Sequence, residues 1–335
     1  MFPHRTESMP TVFPKRLYTY DMAEDDALTL KEALKGILID DKRIINILTN
    51  RSAEQRQMIA EKYMSCYSTN LVDDLRALLV SSDFASTLVA WMTPLPRFYA
   101  RELRYAITGF RNHNDEICEI LCSLNVNNLL AVKTAYLESF GKTVEADIED
   151  QNFPPQFKQF ILSLCKCFRN ESDTLNAAKI SNDADAIYIA CNRDFEASES
   201  DVQVVSEILT MRSLSHLREL SEEFHALFGK DIEKVVKDSF APPIKDAFVA
   251  MLNFACDSDG FFAERLYNSM VGLGTRDRDL IRLIVTRAEI DLSGIKVAFL
   301  HMYGKTLESF IEGDCSGVYK KLLLALATPS VLKTG

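Results

Sequence analysis

One helical unit written four times is the strongest constraint this sequence places on its fold. Arg51, Leu124, Arg212 and Arg287 occupy equivalent positions. Twelve residues after them stand the rings Tyr63, Tyr136, Phe224 and Phe299, and four further on Tyr67, Phe140, Phe228 and Tyr303. Another four residues bring Leu71, Val144, Ile232 and Leu307. Twelve residues upstream of the anchors lie Ile39, Asn112, Ser200 and Thr275. Counting from these, positions five, eight and nine are apolar in every copy, as in Ile44/Ile47/Leu48 and Leu280/Leu283/Ile284. Agreement at so many registers defines an internal repeat.

Inside each copy the apolar spacing is helical, as in Leu71, Leu75 and Leu78 or Phe157, Phe160, Ile161 and Leu164. Breaks rich in Gly, Ser, Asn and Pro divide a copy into about five short helices. The anchors are 73, 88 and 75 residues apart, so roughly 14 extra residues separate copies two and three. The expected organisation is all-α: a tail over 1–23, repeats over 24–93, 95–168, 183–257 and 258–330, and a linker over 169–182. The insertion suggests two linked pairs of repeats.

A formal net charge of −10 argues against nucleic acid and against unaided attraction to anionic lipid. No apolar run reaches the roughly 18 residues of a membrane span. Residues 1–21 lack a signal-peptide core, with prolines at 3, 10 and 14. The eight cysteines follow no framework and read as reduced thiols of a cytoplasmic protein.

Near the C-terminus, Met270-Val271-Gly272-Leu273-Gly274-Thr275 sets two glycines one residue apart, and Glu312-Gly313-Asp314 follows on a second connection. Glycine reaches backbone angles closed to other residues, so such a loop can turn its carbonyls inward. A carboxylate from the second loop would close an all-oxygen cage suited to Ca²⁺. Thr275 and Asp314 are 39 residues apart, and the same offset carries Ile39 to Leu78, Asn112 to Gln151 and Ser200 to Ser239. None of those is an acid. Leu38, Arg111 and Glu199 replace the second glycine; Gly36 and Gly109 keep the first, where copy three has Ala197. A one-residue slip would bring in Asp150 or Asp238, which leaves copies two and three open.

The whole pattern resembles the annexin family over about Asp25 to Ala327. Copy four carries the resemblance most fully, through Gly272-Leu273-Gly274-Thr275, Arg287-Ala288-Glu289-Ile290-Asp291-Leu292, Tyr303-Gly304-Lys305 and Gly313-Asp314-Cys315-Ser316-Gly317. Copy one adds Arg51-Ser52 and Gln55-Arg56-Gln57, and copy three adds Arg212-Ser213 and His216-Leu217-Arg218. The resemblance implies five helices per repeat in a slightly curved disc, with calcium loops on the convex face. It implies Ca²⁺ held by the carbonyls of Met270, Gly272 and Gly274 and the carboxylate of Asp314, with lipid phosphate at an open position. Leu273 would face the bilayer. A weaker family site maps to Thr275 with Asp277 and to Ile39 with Asp41. Helix N-terminal duty is the competing role for Asp40, Asp41 and Asp277. At the family's central polar channel, Glu102, Glu119 and Arg282 match, while Tyr99 and Leu124 replace expected charges. The expected outcome there is a Glu119–Arg282 interrepeat ion pair rather than ion conduction.

The implied function is calcium-dependent, peripheral binding to anionic phospholipid, dominated by repeat four and weaker than a four-site member would give. The alternative is a calcium-insensitive helical scaffold for protein contacts or self-association. No catalysis is expected, since Cys315 lacks an oriented base despite His301 nearby in sequence. Phe153-Pro154-Pro155 and Phe240-Ala241-Pro242-Pro243 read either as redesigned helix starts or as apolar patches that touch lipid or protein without calcium. The tail, with Thr6, Ser8, Thr11, Tyr18, Thr19 and Tyr20, is expected to be unstructured and open to phosphorylation or a protein partner.

Overall fold

The computed structural model describes residues 9–12, 17–35, 39–78, 82–110, 113–172, 174–192, 198–272 and 274–328. These form twenty helices, five to each copy. Copy one holds α1 (Tyr20–Ala33), α2 (Asp41–Leu48), α3 (Ala53–Tyr67), α4 (Leu71–Leu78) and α5 (Asp83–Met92). Copy two holds α6 (Leu95–Thr108), α7 (Asn114–Ser123), α8 (Val126–Phe140), α9 (Val144–Asp150) and α10 (Pro155–Cys165). Copy three holds α11 (Ala177–Cys191), α12 (Glu199–Met211), α13 (Leu214–Phe228), α14 (Ile232–Ser239) and α15 (Ile244–Cys256). Copy four holds α16 (Ser258–Met270), α17 (Asp277–Arg287), α18 (Leu292–Tyr303), α19 (Leu307–Asp314) and α20 (Gly317–Ala327).

The repeated residues perform the same task in each copy. The ring pairs Tyr63/Tyr67, Tyr136/Phe140, Phe224/Phe228 and Phe299/Tyr303 all meet one helical turn apart, at 5.0–5.1 Å between centroids. Their first members are fully buried. One residue beyond each pair the backbone turns left-handed, at Ser68, Gly141, Gly229 and Gly304, which ends the third helix and admits the fourth. Three are glycine because that conformation is strained for side chains with a Cβ. Anchor arginines tie helices together: Arg51 grips Asp26 at 2.7 and 2.9 Å, and Arg212 grips Asp183 at 2.6 and 2.9 Å.

Two compact units result, one of residues 1–94 and 262–335, the other of residues 95–261. Repeats one and four therefore share a unit, as do two and three. The insertion after repeat two does not divide the pairs as its length suggested. In the first unit α5 packs on α17 and α20, and α2 on α20. In the second, α7 packs on α15 and α10 on α12 and α15. The linker belongs to this second unit: Arg169 Nη1 donates to the Arg212 carbonyl at 2.8 Å, and the Asn170 amide to that of Met211 at 3.1 Å.

Part of the tail is also built in, against the expectation of an unstructured terminus. The amides of Thr11 and Val12 donate to the Ala288 carbonyl at 2.8 and 3.1 Å. The Thr11 hydroxyl donates to the Leu326 carbonyl at 2.6 Å, and both residues are buried. Thr11→Val should remove that donor and leave a buried carbonyl short of a partner, costing about 1 kcal/mol. A lowered urea midpoint at unchanged slope would register it.

The repeated Phe-Pro motifs are helix starts and core, not apolar surface patches. Phe153 packs on Phe157 and Phe240 on Phe248, at centroid distances of 5.6 and 5.2 Å, and both rings are buried. Apolar area drives them inward, while Pro154 and Pro155 stay exposed, with Pro155 opening α10.

Candidate metal centre

The loop between α16 and α17 and the junction of α19 with α20 make the candidate centre. Met270 ends α16 and is buried, whereas Val271, Gly272 and Gly274 are exposed. Gly272 and Gly274 adopt φ of +113° and +84°, and a Cβ would meet nothing within 4 Å at either. Backbone conformation, not crowding, is what demands glycine there. A bond from the Arg276 amide to the Ser269 carbonyl at 2.8 Å closes the loop. The same seven-residue closure recurs from His113 to Ala106 at 3.2 Å and from Asp40 to Ala33 at 3.0 Å. Loop length is thus shared between repeats even where the residues for cation binding differ.

Across the 39-residue gap, the Thr275 hydroxyl donates to Asp314 Oδ2 at 2.6 Å. This bond brings the exposed carboxylate at the end of α19 onto the glycine loop. Thr275 enters the sequence reading only through its carbonyl; its hydroxyl as the clasp of Asp314 was missed, and the fixed offset was the signal that linked them. Asp277 opens α17, whose N-cap residue Arg276 makes no side-chain capping bond. Burial raises its pKa first, the Tyr319 hydroxyl draws it back, and the nearby charges of Asp83 and Asp314 raise it again. Carboxylates crowded in this way favour a cation between them.

The donor chemistry fits a hard ion. Carboxylate and loop carbonyl oxygens are present, and the neighbouring Cys315 thiol is buried and pushed up to about 12, which keeps the soft thiolate unavailable. Among the described residues, no cluster of three or more His, Cys, Asp or Glu side chains is placed to hold a metal. A one-carboxylate cage completed by backbone oxygen needs none.

The other repeats have put the corresponding groups to different use. Asp150 is paired with Lys142 at 2.9 Å, and this hydrogen bond holds its carboxyl below the usual range. Ser239 donates to the carbonyls of Cys191 and Val235 at 2.9 and 2.7 Å, while Asp238 is exposed. Asp40 caps α2 by accepting from the Arg43 amide at 3.1 Å. The Ile39 carbonyl accepts from the Asp41 amide at 3.1 Å, and the Asp41 carboxylate lies 3.9 Å from Lys321. Leu273 and the loop positions Gly36, Leu38, Arg111, Asn112 and Ala197 lie outside the described residues. Glu102 and Glu119 are buried in one unit and Arg282 in the other. Within its unit Arg282 binds Asp279 at 3.0 Å, a partner one helical turn away that sequence reasoning passed over.

A family model described as Annexin matches residues 25–91, 98–164, 182–251 and 261–326, one match to each repeat. The chain belongs to the annexin family. It is 37% identical to annexin A4 of Mus musculus over 305 residues, 91% of this chain and 94% of the relative. The solved structure of annexin III superposes with a TM-score of 0.90 at 31% identity, covering 95% of this chain and 97% of that one. A calcium-bound annexin (Sm)1 structure matches with a TM-score of 0.84 at 28% identity, over 96% of this chain and 93% of that one. Calcium-dependent phospholipid binding without enzymatic activity characterises the family. No helix among the described residues of this annexin is long and apolar enough to cross a membrane.

Proposed function

We propose that this annexin binds anionic phospholipid membranes peripherally from the cytoplasm, mainly through one Ca²⁺ in repeat four. The carbonyls of Met270, Gly272 and Gly274 and the carboxylate of Asp314 hold the ion. A lipid phosphate completes its shell, and Leu273 meets the bilayer interface. The Thr275–Asp314 bond carries this reading, because it sets a carboxylate on the two-glycine loop. Thr275 with Asp277 supplies a weaker second position in the same repeat. Ile39 with Asp41 is a poorer one, since the Ile39 carbonyl already serves the Asp41 amide.

A single carboxylate makes a low-charge cage, so free Ca²⁺ binds in roughly the 10⁻⁴–10⁻³ M class and lipid raises the apparent affinity. Without intact loops in the other repeats, little avidity is gained from multiple contacts. Sedimentation with phosphatidylserine/phosphatidylcholine vesicles tests the reading. Pelleting should require calcium of that order and reverse on adding chelator. Pelleting of the same extent in chelator would overturn it.

A further inference from the structure

A cleft of about 350 Å³ follows the seam where α2 of repeat one packs on α20 of repeat four, inside a single unit. Pockets that take small molecules begin at roughly this size. Lys42, Asn46 and Thr49 line it from α2 and its C-cap, and Lys321, Ala325 and Thr328 from α20 and its C-cap. Both sets have helical spacing, so one face of each helix forms a wall. The Asp41 carboxylate lies 3.9 Å from Lys321 Nζ, which puts Lys42 and Lys321 at the same end. On both walls the threonine stands seven residues after the lysine, giving a length of about 10 Å, two helical turns.

The two ends differ in chemistry. Asp41 offsets one ammonium group, and Asp40 is taken up by Arg43 at 3.3 Å. Lys42 makes no ion pair among the described residues, so this end stays positive in a chain of net charge −10. At the far end, the Thr49 hydroxyl is committed to the Ile45 carbonyl at 2.8 Å and Asn50 Nδ2 to the Asn46 carbonyl at 2.7 Å. Asn46 Nδ2 and the Thr328 hydroxyl make no hydrogen bond among the described residues, and both side chains are exposed. Ile45 and Ala325 add an apolar strip between the ends.

Two ammonium groups without a guanidinium fork suit a phosphomonoester, with nearly two negative charges, better than a planar carboxylate. No aromatic side chain among the described residues lines the cleft, so nothing stacks on a nucleobase. A carboxamide and a hydroxyl instead match the hydroxyl groups of a sugar ring.

We propose that this seam binds a sugar monophosphate, with its phosphate at Lys42 and Lys321 and its ring hydroxyls at Asn46 and Thr328. The site lies apart from the repeat-four ion loop and calls for neither calcium nor a bilayer. Isothermal titration of the full chain with glucose 6-phosphate, in chelator and without lipid, provides the test. One saturable site per chain is expected, about tenfold tighter than for inorganic phosphate or glucose alone. Lys42→Ala and Lys321→Ala should each weaken it by about fivefold to tenfold, as for loss of a charged hydrogen-bond donor. Asn46→Leu should bring glucose 6-phosphate down towards inorganic phosphate and leave inorganic phosphate unchanged. All three side chains are exposed, so the variants keep the fold.

Absence of saturable binding at millimolar glucose 6-phosphate would overturn the proposal. So would parent affinity in the Lys42→Ala/Lys321→Ala double variant, which would place the phosphate elsewhere. The same phosphomonoester chemistry occurs on inositol lipids. Binding to phosphatidylinositol 4-phosphate vesicles in chelator, lost in the double variant and without any binding of the soluble sugar phosphate, would assign the lysines to a headgroup and overturn the soluble ligand.

Discussion

Asp314→Ala should raise the calcium needed for vesicle binding by roughly tenfold to a hundredfold or more while leaving the fold intact. Removing only an outer partner of a metal ligand costs about that factor, so deleting the sole carboxylate ligand sets it as a lower bound. Stability should not fall with it. Asp314 is exposed at the C-terminal end of α19, where a negative charge faces the negative end of the helix dipole. Without calcium, the variant should equal the parent or gain up to about 0.5 kcal/mol from relief of that repulsion. Thr275→Ala keeps the carboxylate but loses the 2.6 Å clasp, so its calcium requirement should lie between the two. Vesicle sedimentation across a calcium series, with apo urea melts alongside, separates ion binding from folding. An Asp314→Ala curve superimposed on the parent would remove the site from the mechanism.

The repeat was legible because identical packing problems impose identical residues. Four ring pairs at one register become four buried contacts, and Gly141, Gly229 and Gly304 mark the turns that close the third helices. The two-glycine loop was legible for a related reason: side chains with a Cβ rarely adopt φ of +113° and +84°, and the offset from Thr275 to Asp314 is fixed by the helices between them. Pairing of repeats was not. Chain length between copies suggested a division at the linker, yet burial of α5 against α17 and α20 joins the first repeat to the last. Such choices depend on which apolar faces meet, and periodicity within one helix does not state its partner. The Phe-Pro motifs misled for the opposite reason, since exposed prolines flank rings that the core takes in.

Glu289 is the hinge of that pairing between repeats one and four, and Glu289→Ala should destabilise their unit by about 3–5 kcal/mol. Its Oε2 accepts from Arg56 Nη2 at 2.8 Å and its Oε1 from the Ala53 amide at 2.7 Å, at the first turn of α3. Arg56 is almost wholly buried, with 4% of its side chain exposed, and its guanidinium lies 3.5 Å from the centre of the Trp91 ring. Burial lowers the Arg56 pKa against the pull of Glu289, so the cation stays charged at a desolvation cost that the carboxylate offsets. Deleting the carboxylate leaves that charge with the carbonyls of Trp91 and Arg51, at 3.0 and 2.7 Å, and no counterion from repeat four. Glu289→Gln keeps an acceptor and should lose less. Replacing both partners, Arg56→Leu with Glu289→Leu, should recover part of the loss, because an apolar pair carries no buried charge. A double-mutant cycle by urea denaturation reads the coupling. Additive losses would mean that Glu289 merely caps α3, whereas recovery in the double variant assigns the cost to the stranded Arg56 charge.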